Sequence, residues 1–357
     1  MIWGPIALTA ATSAMIGASL APAITELRKR RDASPLPTRA DDGHVTNFAA
    51  GFRKRLAPLA AEMARCAAEH RDATVEFADH THALLIADEA VPKNVKENVS
   101  AILLCNPSAF LSSSSELLCD LFASGDFTAG AGTILRALLA EGDVWIGERS
   151  TICRWLHGEG IITIGRGSSL YGRLSSSREI RLSEGCRFER AYAPVIRMSD
   201  AESRALPASV FRKRSIVDVK LGRLLATGDF HLASGDVLQG HVVASGNVLI
   251  DGGSRILGSV KSHGRTEIGP DTEIHGSMVS SASLHIAGQS FLRGPVLAEG
   301  ELIVGPGTVI GTPESTTTIS APRVRIAPGS IVHGTIWARY DGLVEHTATT
   351  TTLGKNN

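Results

Sequence analysis

Along the second half of the chain aliphatic and small residues alternate in sixes, and three sixes repeat as a unit of eighteen. Glycine stands at Gly228, Gly246, Gly264 and Gly300, with Ala282 filling the gap. Companion ladders run through Gly240, Gly258, Gly276 and Gly294, and through Ser234, Gly252, Pro270, Gly288 and Pro306. Small, turn-permitting residues at every sixth position leave room only for short strands, which is the sequence signature of a solenoid. Side chains on a strand alternate between faces, so residues two and four after each corner share a direction. Two aliphatic stacks result, Leu232, Ile250, Ile268, Ile286 and Val304, then Leu238, Ile256, Ile274, Leu292 and Ile310, and both must point inward. Between them lies a ladder of short, mostly hydroxylic residues: Asp236, Ser254, Thr272, Ser290 and Thr308. A third face passes through Val242, Val260, Met278 and Val296.

The same register runs upstream from Gly142, Gly160 and Arg178, with Ile146, Ile164 and Leu182 inward and Ser150, Ser168 and Cys186 on the hydroxyl ladder. A ragged coil from Gly125 fits if one residue is missing, and near Thr316 the pattern shifts by four before resuming at Val324, Ile326 and Val332. The pattern predicts an all-β solenoid, a parallel β-helix of about ten coils with an eighteen-residue period. With strands about 4.8 Å apart, the rod is on the order of 50 Å long. Each coil is covered only by its neighbours, so both ends expose backbone edges and must be capped or paired. Ile336 and Trp337, on the last regular coil, are the candidate self-assembly end.

Upstream, no charged residue occurs from Ile2 to Thr25, long enough for a helix to span a bilayer. Arg28, Lys29, Arg30 and Arg31 follow and flank the membrane. Ala21 and Ala23 resemble a signal cleavage site, but the segment has no basic n-region, which favours a retained anchor. The positive-inside rule places the bulk of the chain in the cytoplasm, on a single pass. Residues 1–31 are thus read as transmembrane anchor and basic flank, 32–46 as linker, and 47–122 as a helical or mixed cap region. Residues 123–198 form a first β-helix block, 199–221 a loop excursion, 222–339 a second block, and 340–357 a tail. In the cap region Phe48, Phe52, Leu56, Leu59, Met63 and Cys66 share one helical face, expected to pack on the open first coil. Membrane-surface binding through Arg53, Lys54 and Arg55 is the alternative. The excursion carries Arg212, Lys213 and Arg214, a candidate partner loop on a rigid scaffold or simply a solvated one.

The balance of 36 basic and 36 acidic residues argues against electrostatic attraction to nucleic acid. Five cysteines without close spacing suit a reducing compartment. Sixes with aliphatic residues also mark the left-handed β-helix of hexapeptide acyltransferases, and Ile164-Gly165, Ile268-Gly269 and Ile310-Gly311 fit that pattern. Such an enzyme needs a histidine base. His157, His231, His241, His263, His275, His285 and His333 all sit at outward positions, where solvent-exposed strand residues are expected. No phosphate-cradling loop and no metal-spaced His, Cys and Glu set occurs. No catalytic, cofactor-binding or metal-binding residue is assigned, and no small-molecule substrate is expected. Glu148, Arg166 and Glu184 fall on one corner of successive coils and suit an ion-pair ladder.

From Gly228 to Gly311, the Gly-x-aliphatic-x-aliphatic sixes and the Ile268-Gly269-Pro270 and Val304-Gly305-Pro306 turns resemble a bactofilin core. The resemblance implies a right-handed parallel β-helix that assembles end to end without nucleotide, in a cytoplasmic bacterial scaffold attached to the inner membrane. Extra coils, the excursion and the transmembrane segment depart from the family pattern. The expected partners are a second copy of the chain, the membrane and an envelope-synthesis protein. A non-polymerising membrane adaptor is the further alternative.

Overall fold

A computed structural model of the chain describes residues 45–91, 99–199 and 216–346, with side chains of the last stretch described from Gly222 onward. It also describes Ala7, Ala11, Thr12, Ala14, Met15, Ala18 and Leu20, which are helical and exposed. The chain divides into two units, residues 1–44 and residues 45–357. Among the described residues no helix is long and apolar enough to cross a membrane. Most of the apolar segment from Ile2 to Thr25, with Arg28, Lys29, Arg30 and Arg31, lies outside the described residues.

In the second unit the period of eighteen becomes parallel strand register. Val242, Val260, Met278 and Val296 are successive partners on one face. Val248, Thr266, Leu284 and Leu302 follow one another on the second. On the third, Ile256, Ile274, Leu292 and Ile310 do the same. These faces wind into an all-β parallel solenoid of about 13 turns. The inward stacks form one continuous buried core from Ile86 to Val344. Each Leu or Ile in it contributes roughly 1.5–3 kcal/mol by leaving water.

The polar ladders of the sequence are what fasten one coil to the next. Ser254 Oγ donates to the carbonyl of Ala233 at 2.9 Å, Ser290 Oγ to Gly269 at 3.2 Å and Thr308 Oγ1 to Ala287 at 3.3 Å. Cys186 takes the same place with its Sγ 3.2 Å from the Gly165 carbonyl oxygen. At another corner Asp126 Oδ1 accepts from the Asp143 amide, and Asp143 Oδ1 from the Ile161 amide, both at 2.7 Å. That ladder explains the corner glycines: a Cβ on Gly160 would stand 2.0 Å from Asp143 Oδ1. Buried hydroxyls and corner carboxylates thus satisfy backbone groups that the tight turns leave over.

The expectation of about ten turns falls short because coils begin by His82, inside the segment read as a cap region. There the partners Ile102, Leu121 and Leu138 fall one residue over and then one residue under the period, which hides the repeat.

The solenoid is two blocks. Its defining strands are β1 (Ala73–Glu76), β2 (His82–Ile86), β3 (Arg187–Met198), β4 (Ile216–Ala226) and β5 (Ile331–Val344). Block 1 runs from β2 to β3 and block 2 from β4 to β5. Within each block successive coils are parallel, yet β3 and β5 pair antiparallel. The blocks therefore meet through their last coils, and both outer ends of the rod are first coils.

The helices α1 (Asn47–Leu56) and α2 (Ala60–Glu69), joined by a 3-10 turn at Ala57–Leu59, lie along the side of successive coils, the first included, rather than over the open end of the first alone. Phe52, Leu56, Leu59 and Cys66 bury against Leu85, Leu103, Phe122, Leu139 and Trp155. These are outward residues of successive coils, alternating with inward Ile86, Ile102, Leu104, Leu121 and Leu138. The helix pair covers a side wall of block 1. Period-two alternation predicts polar outward residues, and here the wall is apolar because the helices cover it.

Candidate assembly ends

The junction of the blocks pairs a whole coil with a whole coil. Arg187 and Phe188 face Leu343 and Gly342 on one side of the prism, Arg190 to Ala193 face Trp337 to Gly334 on the second, and Ile196 and Arg197 face Val332 and Ile331 on the third. Gly342 is required at its place, since a Cβ there would lie 2.5 Å from the Phe188 ring. Outside the prism the Arg190 guanidinium stacks 4.2 Å over the Trp337 ring, and Arg187 reaches Asp341 at 3.4 Å. A partly exposed cation–π contact of this kind contributes about 0.5–1 kcal/mol. His333 is enclosed at the junction and donates from Nδ1 to the Pro194 carbonyl at 2.9 Å. Burial pulls its imidazole below the usual histidine range.

This arrangement corrects the candidate end at Ile336 and Trp337. Ile336 is fully buried opposite Ala191, and Trp337 lies beside Arg190, so the edge they offer is occupied within the chain. Sequence periodicity marks Ile336 as the last regular coil but carries no mark of an antiparallel partner more than a hundred residues away.

The two outer ends differ. At block 1, β1 adds an antiparallel strand of four residues to β2, with Thr74 opposite Leu84 and Glu76 opposite His82. Its hairpin is pinned by Asp79, which accepts from the Thr81 hydroxyl at 2.6 Å and from Arg55 at 2.8 Å. A short strand carrying a carboxylate is a blunted edge. At block 2, β4 is eleven residues long and pairs with Val237–Ala244 on one side. Among the described residues nothing pairs with its other side. Leu224, Ala226 and Phe230 of this first coil are only partly buried, although they pack on the core. Leu225 is 65 % exposed. Beside this end a groove of about 580 Å³ runs past Phe230, His231, Leu249 and Arg265. The candidate partner loop, Arg212, Lys213 and Arg214, lies outside the described residues.

A polar cluster fastens the helices to the side wall. Arg53 donates from Nε to Glu141 at 2.9 Å and also pairs with Glu159. His157 Nε2 lies 3.4 Å from Glu159, and His157 Nδ1 is 2.8 Å from the Ser175 hydroxyl. Burial lowers the basicity of His157, while a hydrogen bond from Ser177 keeps Glu159 ionised below the usual carboxylate range. Phe48 receives Arg173 at 4.2 Å, and Phe77 receives Arg55 at 4.0 Å.

The seven histidines thus divide. His157 and His333 are buried, because elements remote in sequence cover their outward positions. His231 pairs with Asp251 at 2.8 Å, His275 pairs with Glu273, and His241 Nδ1 accepts from the Ser259 amide at 3.0 Å. His263 and His285 are exposed. No two of these seven are brought into hydrogen-bonding contact with each other. Among the described residues no group of His, Cys, Asp and Glu is placed to hold a metal ion. Of the expected corner ladder, Arg166 lies 4.0 Å from Glu184. Cys66 of α2 lies near Cys105 of the side wall in one buried cluster, a proximity that their separation in sequence conceals.

The fold defines a class: a parallel β-solenoid built of coil-to-coil surfaces. Within it, residues 230–337 match the family model described as Bactofilin, polymer-forming cytoskeletal. Over that stretch the chain is similar to a bactofilin domain. The matched stretch lies wholly in block 2 and ends at Trp337, inside the junction. No curated protein and no solved structure matched the chain.

Proposed function

We propose that the chain is a bactofilin-type scaffold, held at the bacterial inner membrane by its N-terminal segment and working by self-assembly and display of its solenoid surface. One observation carries the reading: the chain's own last coils close each other on all three faces, so an end coil of this solenoid is a competent partner for another. Removing apolar area from water and satisfying strand edges drives such pairing. The polymer-forming family of the matched domain supports the same role. Membrane attachment is supported by the uncharged stretch from Ile2 to Thr25 and the basic residues Arg28, Lys29, Arg30 and Arg31. The basic residues Arg212, Lys213 and Arg214 of the stretch between the blocks are, by their sequence, the ones through which an envelope-synthesis protein would be gathered.

The test joins electron microscopy of the purified full chain with vesicle flotation. Assemblies larger than one rod, floating with vesicles unless the first 31 residues are removed, are expected. Single rods at every concentration would overturn the scaffold role, and equal flotation without the N-terminal segment would overturn the anchor.

A further inference from the structure

We propose that the wall of the solenoid carrying Arg173, Arg190, Trp337 and Lys261 lies against anionic lipid headgroups, so that the rod is held side-on to the membrane. The inference rests on the anchored reading and adds the face, and the lipid chemistry, that the body of the chain meets.

Strand register assembles this wall from both blocks. Arg173 and Arg190 are outward partners on successive coils of block 1, and Arg190 meets Trp337 across the junction. In block 2 the same column continues through Ser320, Leu297 and Val279 to Lys261. At about 4.8 Å per strand, the stretch from Arg173 to Lys261 is roughly 30 Å long. It holds three cations, a tryptophan and two aliphatic side chains, and no carboxylate stands in it. Trp337 is 42 % and Leu297 38 % exposed. On the other two faces of block 2 basic residues are matched, Arg255 by Glu273 and Arg325 by Glu301.

Arg173 and Arg190 are instead register neighbours of like sign, one stacked over the Phe48 ring and the other over the Trp337 ring, each at 4.2 Å. Burial, and after it the charge of Arg173, lower the basicity of Arg190. Glu189, next to Arg190 in sequence, accepts from the Gly172 amide at 3.1 Å. Stacking occupies the flat face of a guanidinium and not its N–H edge, the part that grips a phosphate in two parallel bonds. Basic, aromatic and aliphatic side chains interleaved on one face are the composition of a membrane-interface surface. Chain connection favours the same partner. Phe48 lies on Arg173 and is seventeen positions from Arg31 of the basic flank. A short tether keeps the wall at high effective concentration over the surface, so few charges suffice. Each of them favours contact with an anionic surface by about fivefold.

Fluorescence of the full chain in vesicles that carry a nitroxide at the lipid headgroup tests the contact. One form keeps Trp337 and a second keeps Trp145, with the other tryptophans replaced by phenylalanine; Trp145 is 47 % exposed on another face. In vesicles of phosphatidylcholine with phosphatidylglycerol, Trp337 is expected to be quenched and Trp145 not, and phosphatidylcholine alone should quench neither. Lys261→Glu, at an exposed residue, removes a favourable charge and adds an unfavourable one, which lowers the contact equilibrium by about thirtyfold. Arg173→Glu with Arg190→Glu abolishes the quenching. Unquenched Trp337 on vesicles with which the chain floats overturns the wall contact and leaves the anchor standing, whereas a chain that floats with neither kind of vesicle overturns both. Equal quenching of the two tryptophans overturns the assigned face. Quenching indifferent to Lys261→Glu or to phosphatidylglycerol overturns the recognition of charge. Quenching seen only after Asp41→Asn with Asp42→Asn assigns the arginines to the chain's own carboxylates and overturns the lipid as their partner.

Discussion

Truncating Phe52 separates the helical cover from the solenoid. Phe52 is buried in α1 and meets Trp155 edge to face, with ring centroids 5.8 Å apart at 68°. Phe52→Ala removes a large buried ring at a cost of about 3–5 kcal/mol, including roughly 0.5–1.5 kcal/mol from the aromatic pair. Arg53 still holds Glu141 and Glu159, but that clamp is partly solvated and contributes at most about 1 kcal/mol. The inward stacks of block 1 touch none of these atoms, so the loss falls on local opening of the helix pair. A loss of about 3 kcal/mol is roughly a hundredfold rise in the open population. Hydrogen exchange read by mass spectrometry is therefore expected to accelerate by about that factor in peptides covering Asn47–Glu69, while peptides of block 2 keep their protection. Uniform acceleration across both blocks, or none over the helices, would refute the idea that the helices are a separable cover on the side wall.

Acid weakens the same contacts. His157 and His333 are held neutral by burial, so the unfolded chain takes up their protons first as the pH falls. Stability is complete above the ordinary histidine value of about 6.5 and is lost below it, by up to about 1.4 kcal/mol per pH unit for each histidine. Thermal melts of the protein and of His157→Gln with His333→Gln should diverge in slope below that pH. Gly160→Ala, which forces a Cβ against Asp143 Oδ1, should lower stability by about 1–3 kcal/mol. Gly51→Ala, in a helix with open space around it, should raise stability by about 0.5–1 kcal/mol, and denaturant titration reads both signs. Thr266 buries a hydroxyl without a partner among inward aliphatics, so Thr266→Val should raise the melting temperature, with a gain of about 1 kcal/mol or more. Cys105, Cys119 and Cys186 have thiols pushed up to about 12, 11 and 11 by burial, so a thiol reagent near neutral pH should label Cys153 first in the folded protein.

The solenoid is legible in the sequence because each coil repeats the same local problem. Ile256, Ile274, Leu292 and Ile310 occupy equivalent places, and eighteen-residue spacing alone puts them in one stack. The corner glycines and hydroxyl ladder are legible for the same reason, although only the folded chain brings Asp143 Oδ1 into the space beside Gly160. What periodicity does not encode is contact between elements of different period. The helix pair has a clear apolar face, but its receptor is formed by Leu85, Leu103, Phe122, Leu139 and Trp155, outward residues that no inward rule singles out. The junction is likewise silent: Ile336 reads as a last coil and therefore as a free end, while its partner Ala191 sits in another block. His157 and His333 follow from those two misses, since each is buried by the element that the repeat pattern does not place.

The account turns on the last coils being joined within one chain, because that leaves first coils alone at the outside. Tyr192 and Thr335 are register partners across the junction and both are outward-facing. Tyr192→Cys with Thr335→Cys, in a background carrying Cys153→Ser, should on mild oxidation give a disulfide within a single chain, seen as a faster-migrating monomer that reverts on reduction. Disulfide-linked pairs of chains at low concentration, or free thiols at both positions, would contradict the joining of the blocks and the inventory of ends that follows from it.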